Sequence, residues 1–442
     1  MGYDEEFFKS EEFQDLLKRY ESSVEEGNPL FLDSDDYVDI ADYYNYTGNY
    51  DKAEELVDRG LEYYPNDTLL NVFKARQALA DNDFELAEKY AETIEDKDAP
   101  DYHYLKAEIM IAKGQKDNAD DYLVDLLSDM PTDELADYIK DVANLYLDYD
   151  NDDKAYEWMM RSQDDKTDDF KELMGRALLG IGKYKDSQKM FNELIDQDPY
   201  STKYWNALAS AQYLDQDYNA AVTSSEYALA IDPKDPQGLL SKANGLYQLG
   251  NYKDAIEFFT RYLDVAEDID NDTLVHIFEE MALSYSEIGN TEEALKTLDE
   301  TSDLECDANA IKVVRAHILL TAGRNDEAAE LFGQAVLNSN ADPDIVVRCV
   351  VSMLDNGLVE ESYTSFKAFL SEDKNRNIRT GHAYMALCCY ELGKDKEFLK
   401  YLNKSVEYNP VEARTVLGSL FPKDMQPSEY YDYMKKNLKN KK

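Results

Sequence analysis

Gly250-Asn251-Tyr252-Lys253-Asp254-Ala255, followed by Phe259, is one copy of a phrase that recurs along the chain. Gly48-Asn49-Tyr50-Asp51-Lys52-Ala53 leads to Gly60 and Pro65, and Gly182-Lys183-Tyr184 leads to Phe191 and Pro199. A recurrence of about 34 residues marks a stack of helical repeats and not a single globular core. Such an array grows by adding units, so a length of 442 residues says little about domain number.

The frame extends outward in both directions. From residue 34, Tyr37, Ile40, Ala41 and Tyr44 make a first helix, and Ala53, Val57, Gly60 and Pro65 a second helix and its end. Residues 202–235 repeat the arrangement with Trp205, Leu208, Ala209, Tyr218, Ala221, Ala228 and Pro233. More divergent units keep small residues at matching places, as with Ala75 and Ala87, Ala282 and Ala294, and Ala316 and Ala328. Val350 and Phe398 replace small residues near the C-terminal end. Before the first unit, Phe13, Leu16, Leu17 and Tyr20 follow helical spacing and predict one amphipathic helix over 5–26, stopped by Gly27 and Pro29.

This constellation resembles the tetratricopeptide repeat (TPR), with its W-x2-L-G-x2-Y, A-x3-F and P elements. The resemblance covers roughly 34–412. It implies an all-α fold, a right-handed TPR solenoid or superhelix of antiparallel helix pairs with helical caps. Small residues at the eighth and twentieth places let the paired helices approach, and large ones such as Trp205, Tyr252 and Phe191 fill the gaps beside them. The expected organisation is an N-terminal capping helix and linker over 1–33, repeats one to seven over 34–269 and an acidic insertion at 270–274. Repeats eight to eleven follow over 275–412, and a capping helix with a basic tail over 413–442. Tyr430, Tyr431 and Met434 offer that cap an apolar side, and the tail carries Lys435, Lys436, Lys439, Lys441 and Lys442.

Composition limits the function classes. Formal net charge is −47, from 93 acidic and 46 basic residues. That field repels nucleic acid and anionic membrane and attracts basic partners over a Debye length of ~8 Å. The same charge also serves solubility of a long exposed surface. No apolar run reaches the ~18 residues of a membrane span. Met1–Phe8 has neither the basic nor the apolar region of a secretory signal, and Glu6 stands where a myristoylation site needs Ser or Thr. Cys306, Cys349, Cys388 and Cys389 form no C-x-x-C pair, which with the absent signal points to a reducing cytoplasm.

Catalytic constellations are not found. Gly175–Lys183 fails the spacing of a phosphate loop, and no G-x-S-x-G elbow occurs. Asp268, Asp270, Asp272 and Glu279 match the outer spacing of a calcium loop, but Thr273 stands where its turn glycine belongs, so 268–272 reads as a solvated acidic linker with calcium as the alternative. His103, His276, His317 and His382 fall in four different units without a metal-ligating partner at helical spacing. No cofactor or metal is expected.

In the family, first helices of successive units line a concave groove that holds a peptide. Carried over place by place, that face includes Arg176, Lys203, Asn206, Tyr213, Asn244 and Tyr247, taken here as the candidate partner-binding residues. Asn amides both donate to and accept from a peptide backbone, and Tyr supplies amphipathic contact area. The Lys/Asn/Arg clamp of the chaperone-tail-binding branch is missing, with Ser241 and Glu279 where basic or amide groups are needed. Asp35, Val38 and Asp42 in the first unit suit a basic or mixed peptide instead. The expected function is a non-catalytic, cytoplasmic scaffold or adaptor for a protein or peptide. The alternative is an acidic regulator that sequesters a basic, nucleic-acid-binding protein by charge.

Overall fold

The structure, a computed structural model, describes residues 5–27, 30–128, 130–267, 269–372, 375, 378–422 and 425–440. The described residues form α-helices, short 3-10 turns and connecting loops, with no strand among them. The chain divides into two compact units, Met1–Asp217 and Tyr218–Lys442.

In the first unit, α1 (Glu5–Lys9) and α2 (Glu11–Glu25) precede the array. Helix pairs follow: α3 (Ser34–Tyr46) with α4 (Tyr50–Tyr63), α5 (Thr68–Ala80) with α6 (Phe84–Thr93), and α7 (Pro100–Ala112) with α8 (Lys116–Leu127). Then come α9 (Leu135–Asp148) with α10 (Asp152–Met159), α11 (Asp168–Gly180) with α12 (Tyr184–Gln197), and α13 (Thr202–Leu214). The single helix expected over 5–26 is broken at Ser10, whose hydroxyl accepts the Phe13 amide at 3.2 Å and caps a new helix. A local cap thus wins over a continuous apolar stripe.

In the second unit, α14 (Tyr218–Ile231) is followed by α15 (Pro236–Gln248) with α16 (Tyr252–Val265), α17 (Asn271–Glu287) with α18 (Thr291–Asp299), and α19 (Ala308–Thr321) with α20 (Asn325–Asn338). Then come α21 (Pro343–Asp355) with α22 (Val359–Ser371), α23 (His382–Glu391) with α24 (Asp395–Tyr408), α25 (Pro410–Leu417) and α26 (Pro427–Asn440). Helix α26 packs on α24 and α25, burying Tyr430 and Met434, and Tyr430 stacks on Phe421 with centroids 3.7 Å apart. Such a cover keeps water from the apolar side of a last repeat.

Each repeat is assembled by the same steric logic. The first helix ends in a left-handed residue, as at Gly250 with φ +75°, which a β-carbon disfavours. The backbone then folds back, with the Asn251 amide donating to the Leu246 carbonyl at 2.8 Å. Where the eighth and twentieth places are alanines, as in Ala41 with Ala53, Ala143 with Ala155 and Ala316 with Ala328, both are fully buried. Three turns depart from glycine: Asn82, Asp150 and Gln216 adopt φ of 58°, 53° and 64°. Near the C-terminal end, Val350 and Phe398 fill the same places at 1% exposure each, and the Phe398 ring lies 5.4 Å from that of Tyr390.

Of the acidic stretch between the seventh and eighth repeats, Asp270 caps α17 by accepting the Thr273 amide at 2.8 Å. Residues 271–274 form the first turn of that helix, and Asp268 lies outside the described residues.

Candidate interaction surface

Residues three, four and seven apart share one side of a helix. On α3 this groups Val38, Asp42 and Asn45; on α5, Leu69, Val72, Phe73 and Arg76; on α7, Asp101, Tyr104 and Glu108; on α9, Asp141, Asn144, Leu145 and Asp148. The four faces line one cleft of the first unit with a volume of about 760 Å³. Val72, Phe73 and Leu145 are nearly covered and form its apolar floor.

Polar groups in this cleft are connected from helix to helix. Arg76 Nε donates to Glu108 Oε2 at 2.9 Å, and the Tyr149 hydroxyl donates to Glu108 Oε1 at 3.2 Å. The Tyr104 hydroxyl donates to Asp141 Oδ2 at 2.9 Å. Asp42 differs from these: among the described residues no donor pairs with its carboxylate. Burial pushes that carboxyl up to about 6; Arg76 pulls against the rise and Asp39 adds to it.

The six residues predicted to face a partner are distributed over both units. Arg176, on α11, donates through Nη1 to Asn144 Oδ1 at 3.1 Å and places Nη2 4.0 Å from Asp148, so it stands beside the cleft. Lys203, on α13, is well exposed but pairs with Glu172 of α11 at 2.6 Å. Asn206 is only 7% exposed, and Tyr213, the next-to-last residue of the same helix, is partly covered. In the second unit, Asn244 and Tyr247 lie one turn apart on α15. The Asn244 Oδ1 atom is buried and meets no donor, and the Tyr247 ring meets that of Tyr252 edge-on at 5.9 Å. The Arg76–Glu108–Tyr149 and Tyr104–Asp141 sets went unread in the sequence. Their signal was the tyrosines and acids on the first-helix face of repeats three and four, beside the lone Arg76 of repeat two.

The second unit also holds a small cavity of about 220 Å³ lined by residues of α17, α19 and α21, among them Asp272, His276, Glu279 and Arg348. Beside it Glu280 is 6% exposed, with Oε1 3.5 Å from His276 Nε2 and Oε2 meeting no donor. Burial, aided by Glu279, pushes the Glu280 carboxyl up to about 8. The calcium alternative needs a loop that wraps its ion, yet Asp272 and Glu279 lie on helix α17, and Asp270 spends its oxygens on the Thr273 amide and hydroxyl. Among the described residues no group of three or more His, Cys, Asp or Glu is placed to hold a metal. Burial raises the thiols of Cys349 and Cys388 to about 12, which leaves them protonated and unreactive at neutral pH. No helix among the described residues is long and apolar enough to cross a membrane.

Known proteins resemble the chain in the same terms. Human Superkiller complex protein 3 is 26% identical over 257 residues, which are 56% of this chain and 14% of that protein. The chain thus matches only a small part of that relative's length. Among solved structures, a tetratricopeptide repeat protein from Parabacteroides merdae is 16% identical with a TM-score of 0.43, covering 57% of this chain and 97% of that one. A thermophilic TPR protein of Thermus thermophilus is 20% identical with a TM-score of 0.33, covering 42% of this chain and 100% of that one. The tetratricopeptide repeat family profile matches residues 38–101, 173–236, 216–272 and 280–344. These matches take in just over half of the sequence, and with the helix pairs and their buried small residues they place the chain in the tetratricopeptide repeat family.

Proposed function

We propose that the chain is a non-catalytic scaffold that binds a protein segment along the faces of its first helices. The observation that carries this reading is the cleft of the first unit, to which four successive first helices each contribute. A concave site with an apolar floor and a few oriented polar groups is the usual form of a binding surface. Arg176, Lys203, Asn206 and Tyr213 are proposed contacts in the first unit, and Asn244 and Tyr247 in the second. Arg176 and Lys203 enter such contacts with their charge already shared with Asp148 and Glu172. The four cysteines, free and three of them buried, suit a reducing, cytoplasmic setting.

Site-specific photo-crosslinking tests the reading. A photoreactive residue is placed at Asn45, Gln77, Tyr213 or Tyr247 on first helices, and at Glu55, Glu85, Lys189 or Glu257 on second helices. Partners are expected to crosslink through the first set. Crosslinks confined to the second set would overturn the assignment.

The charge favours a second reading, sequestration of a basic, nucleic-acid-binding protein. Steep loss of capture between ~50 and ~300 mM salt supports it, and capture indifferent to salt removes it.

A further inference from the structure

We propose that the cleft of the first unit accepts a cationic peptide segment, an extended stretch of about eight residues carrying two or more Lys or Arg side chains. The inference rests on the reading that first helices form the binding face, and it specifies what they bind.

The argument begins with charge. Five carboxylates line the cleft, from Asp42, Asp101, Glu108, Asp141 and Asp148, against one cation, Arg76. Arg76 is held by Glu108, so that pair presents little net charge. Arg176 stands at the edge, 4.0 Å from Asp148 and bonded to Asn144. Asp42, Asp101 and Asp141 are left without a salt bridge among the described residues, and they sit on three different helices, α3, α7 and α9. A ligand with cations spaced along its length meets all three, whereas one metal ion does not.

The floor adds a second requirement. Val72, Phe73 and Leu145 offer apolar surface, which suits the aliphatic stems of Lys and Arg. Gln77 also lines the cleft, and its Oε1 atom is buried and meets no donor. A peptide N–H or a guanidinium that reached it would satisfy an acceptor that otherwise stays unpaired. The span follows from helix packing. Neighbouring helices lie about 8–10 Å apart, so four of them cover on the order of 25–30 Å. An extended chain covers that in about eight residues at ~3.3 Å each. Nucleic acid is disfavoured because its phosphates would meet these same carboxylates.

The test uses the full chain and fluorescein-labelled peptides followed by anisotropy at ~50 and ~250 mM salt. The probes are Ala-Arg-Ala repeated three times, the matching Ala-Glu-Ala peptide, and spermine as an unlabelled competitor. Binding of the arginine peptide is expected, with the acidic peptide inert. Asp42→Asn/Asp141→Asn should weaken it at least tenfold, and Glu55→Gln/Glu85→Gln, which removes equal charge from second helices, less than threefold. Asp101→Asn alone, in the half-buried first turn of α7, should weaken it at least threefold and serves if the double variant does not fold. Equal weakening by both double variants assigns the binding to the general field and overturns the proposal. Absence of arginine-peptide binding overturns it too, as does full displacement by equimolar spermine, which would make the ligand a small polyamine. If the arginine peptide fails while crosslinks still form at Asn45 or Gln77, the first-helix reading stands and only the cationic ligand is lost.

Discussion

The Ser187 hydroxyl donates a 2.8 Å hydrogen bond to the carbonyl oxygen of Gly175, and both residues are buried. They hold the eighth and twentieth places of the fifth repeat, where other units put alanines. Serine therefore fits the contact because its one polar atom is satisfied by the helix it touches. Ser362 does the same for Val350 at 3.4 Å, while also donating to Leu358. Ser187→Ala should cost about 0.5–1.5 kcal/mol, the worth of one such bond. Gly175→Ala should cost more despite its better helix propensity, about 1–3 kcal/mol. A β-carbon there would stand 2.9 Å from the Phe191 ring, which is itself enclosed. Urea midpoints of the two variants check the order, and Gly175→Ala matching the parent would show that the ring gives way.

This contact also explains what could be read in advance. The eighth and twentieth places are decided by sterics between helices close in sequence, so Ala41, Ala53, Ala209 and Ala255 carry their meaning in their size. The candidate site is less legible because availability depends on neighbours. Lys203 reads as a free cation until Glu172, 31 positions away, is seen at 2.6 Å. Asn206 reads as a groove amide and is nearly covered. Asp42, by contrast, was read as suited to a basic peptide and has no paired donor among the described residues, because nothing in its neighbourhood had to be known to recognise the carboxylate. Ser10 gave a readable cap, with Glu11 and Glu12 behind it, but the apolar spacing through 13–20 masked it.

Enlarging the contact residues tests the steric argument directly. Ala209 and Ala255 are fully buried. Ala209→Leu and Ala255→Leu should each destabilise their own repeat by at least ~1–3 kcal/mol through overpacking. In a repeat array the loss is expected to be local, so hydrogen exchange should quicken in α13 for the first variant and in α15 and α16 for the second. Unchanged exchange in either case contradicts tight packing there.

Turn residues give a prediction of opposite sign. Gln216 carries φ +64° where most repeats place glycine. A left-handed conformation costs an L-residue roughly 1–2 kcal/mol, partly offset by the greater unfolded-state freedom of glycine. Gln216→Gly should therefore stabilise by about 0.5–1 kcal/mol. Gly250→Ala, at φ +75°, should destabilise by about 1 kcal/mol or more. Thermal melts of the pair measure both, and Gln216→Gly lowering the midpoint would show that its side chain contributes more than its backbone costs.

Glu280 makes the stability of the eighth repeat fall as pH rises from about 4.5 to about 8. Its carboxyl is raised from 4.5 to about 8 by burial. The unfolded chain gives up this proton near 4.5 while the folded chain keeps it up to about 8. The group's contribution to stability is fully present below the unfolded value and is lost as pH rises through the folded one. His276, lowered by burial, is neutral over the upper part of this range and supplies no compensating charge. The loss across the window is on the order of 5 kcal/mol. Glu280→Gln keeps the shape and removes the titration. Hydrogen exchange in α17 and α18 should slow in the variant relative to the parent by an amount that grows from pH 5 to pH 8. An equal difference at both ends would assign the effect to packing.

The response to salt discriminates between the two roles of charge in the folded chain. Pairs such as Lys203–Glu172 and Arg315–Asp299 join neighbouring helices, each at 2.6 Å. Each has one well-exposed partner and is worth at most ~1 kcal/mol, which salt weakens. Against them stands a net charge of −47, whose self-repulsion salt also weakens. Raising the ionic strength from ~0.01 to ~1 M shortens the Debye length from ~30 to ~3 Å, which removes nearly all repulsion between repeats. The excess of 47 uncompensated acids is larger than the set of cross-helix pairs can offset, so repulsion should dominate. Melting temperature is expected to rise with sodium chloride by several degrees. A fall would mean that the helix-bridging pairs, and not the uncompensated acids, set the electrostatic balance of the array.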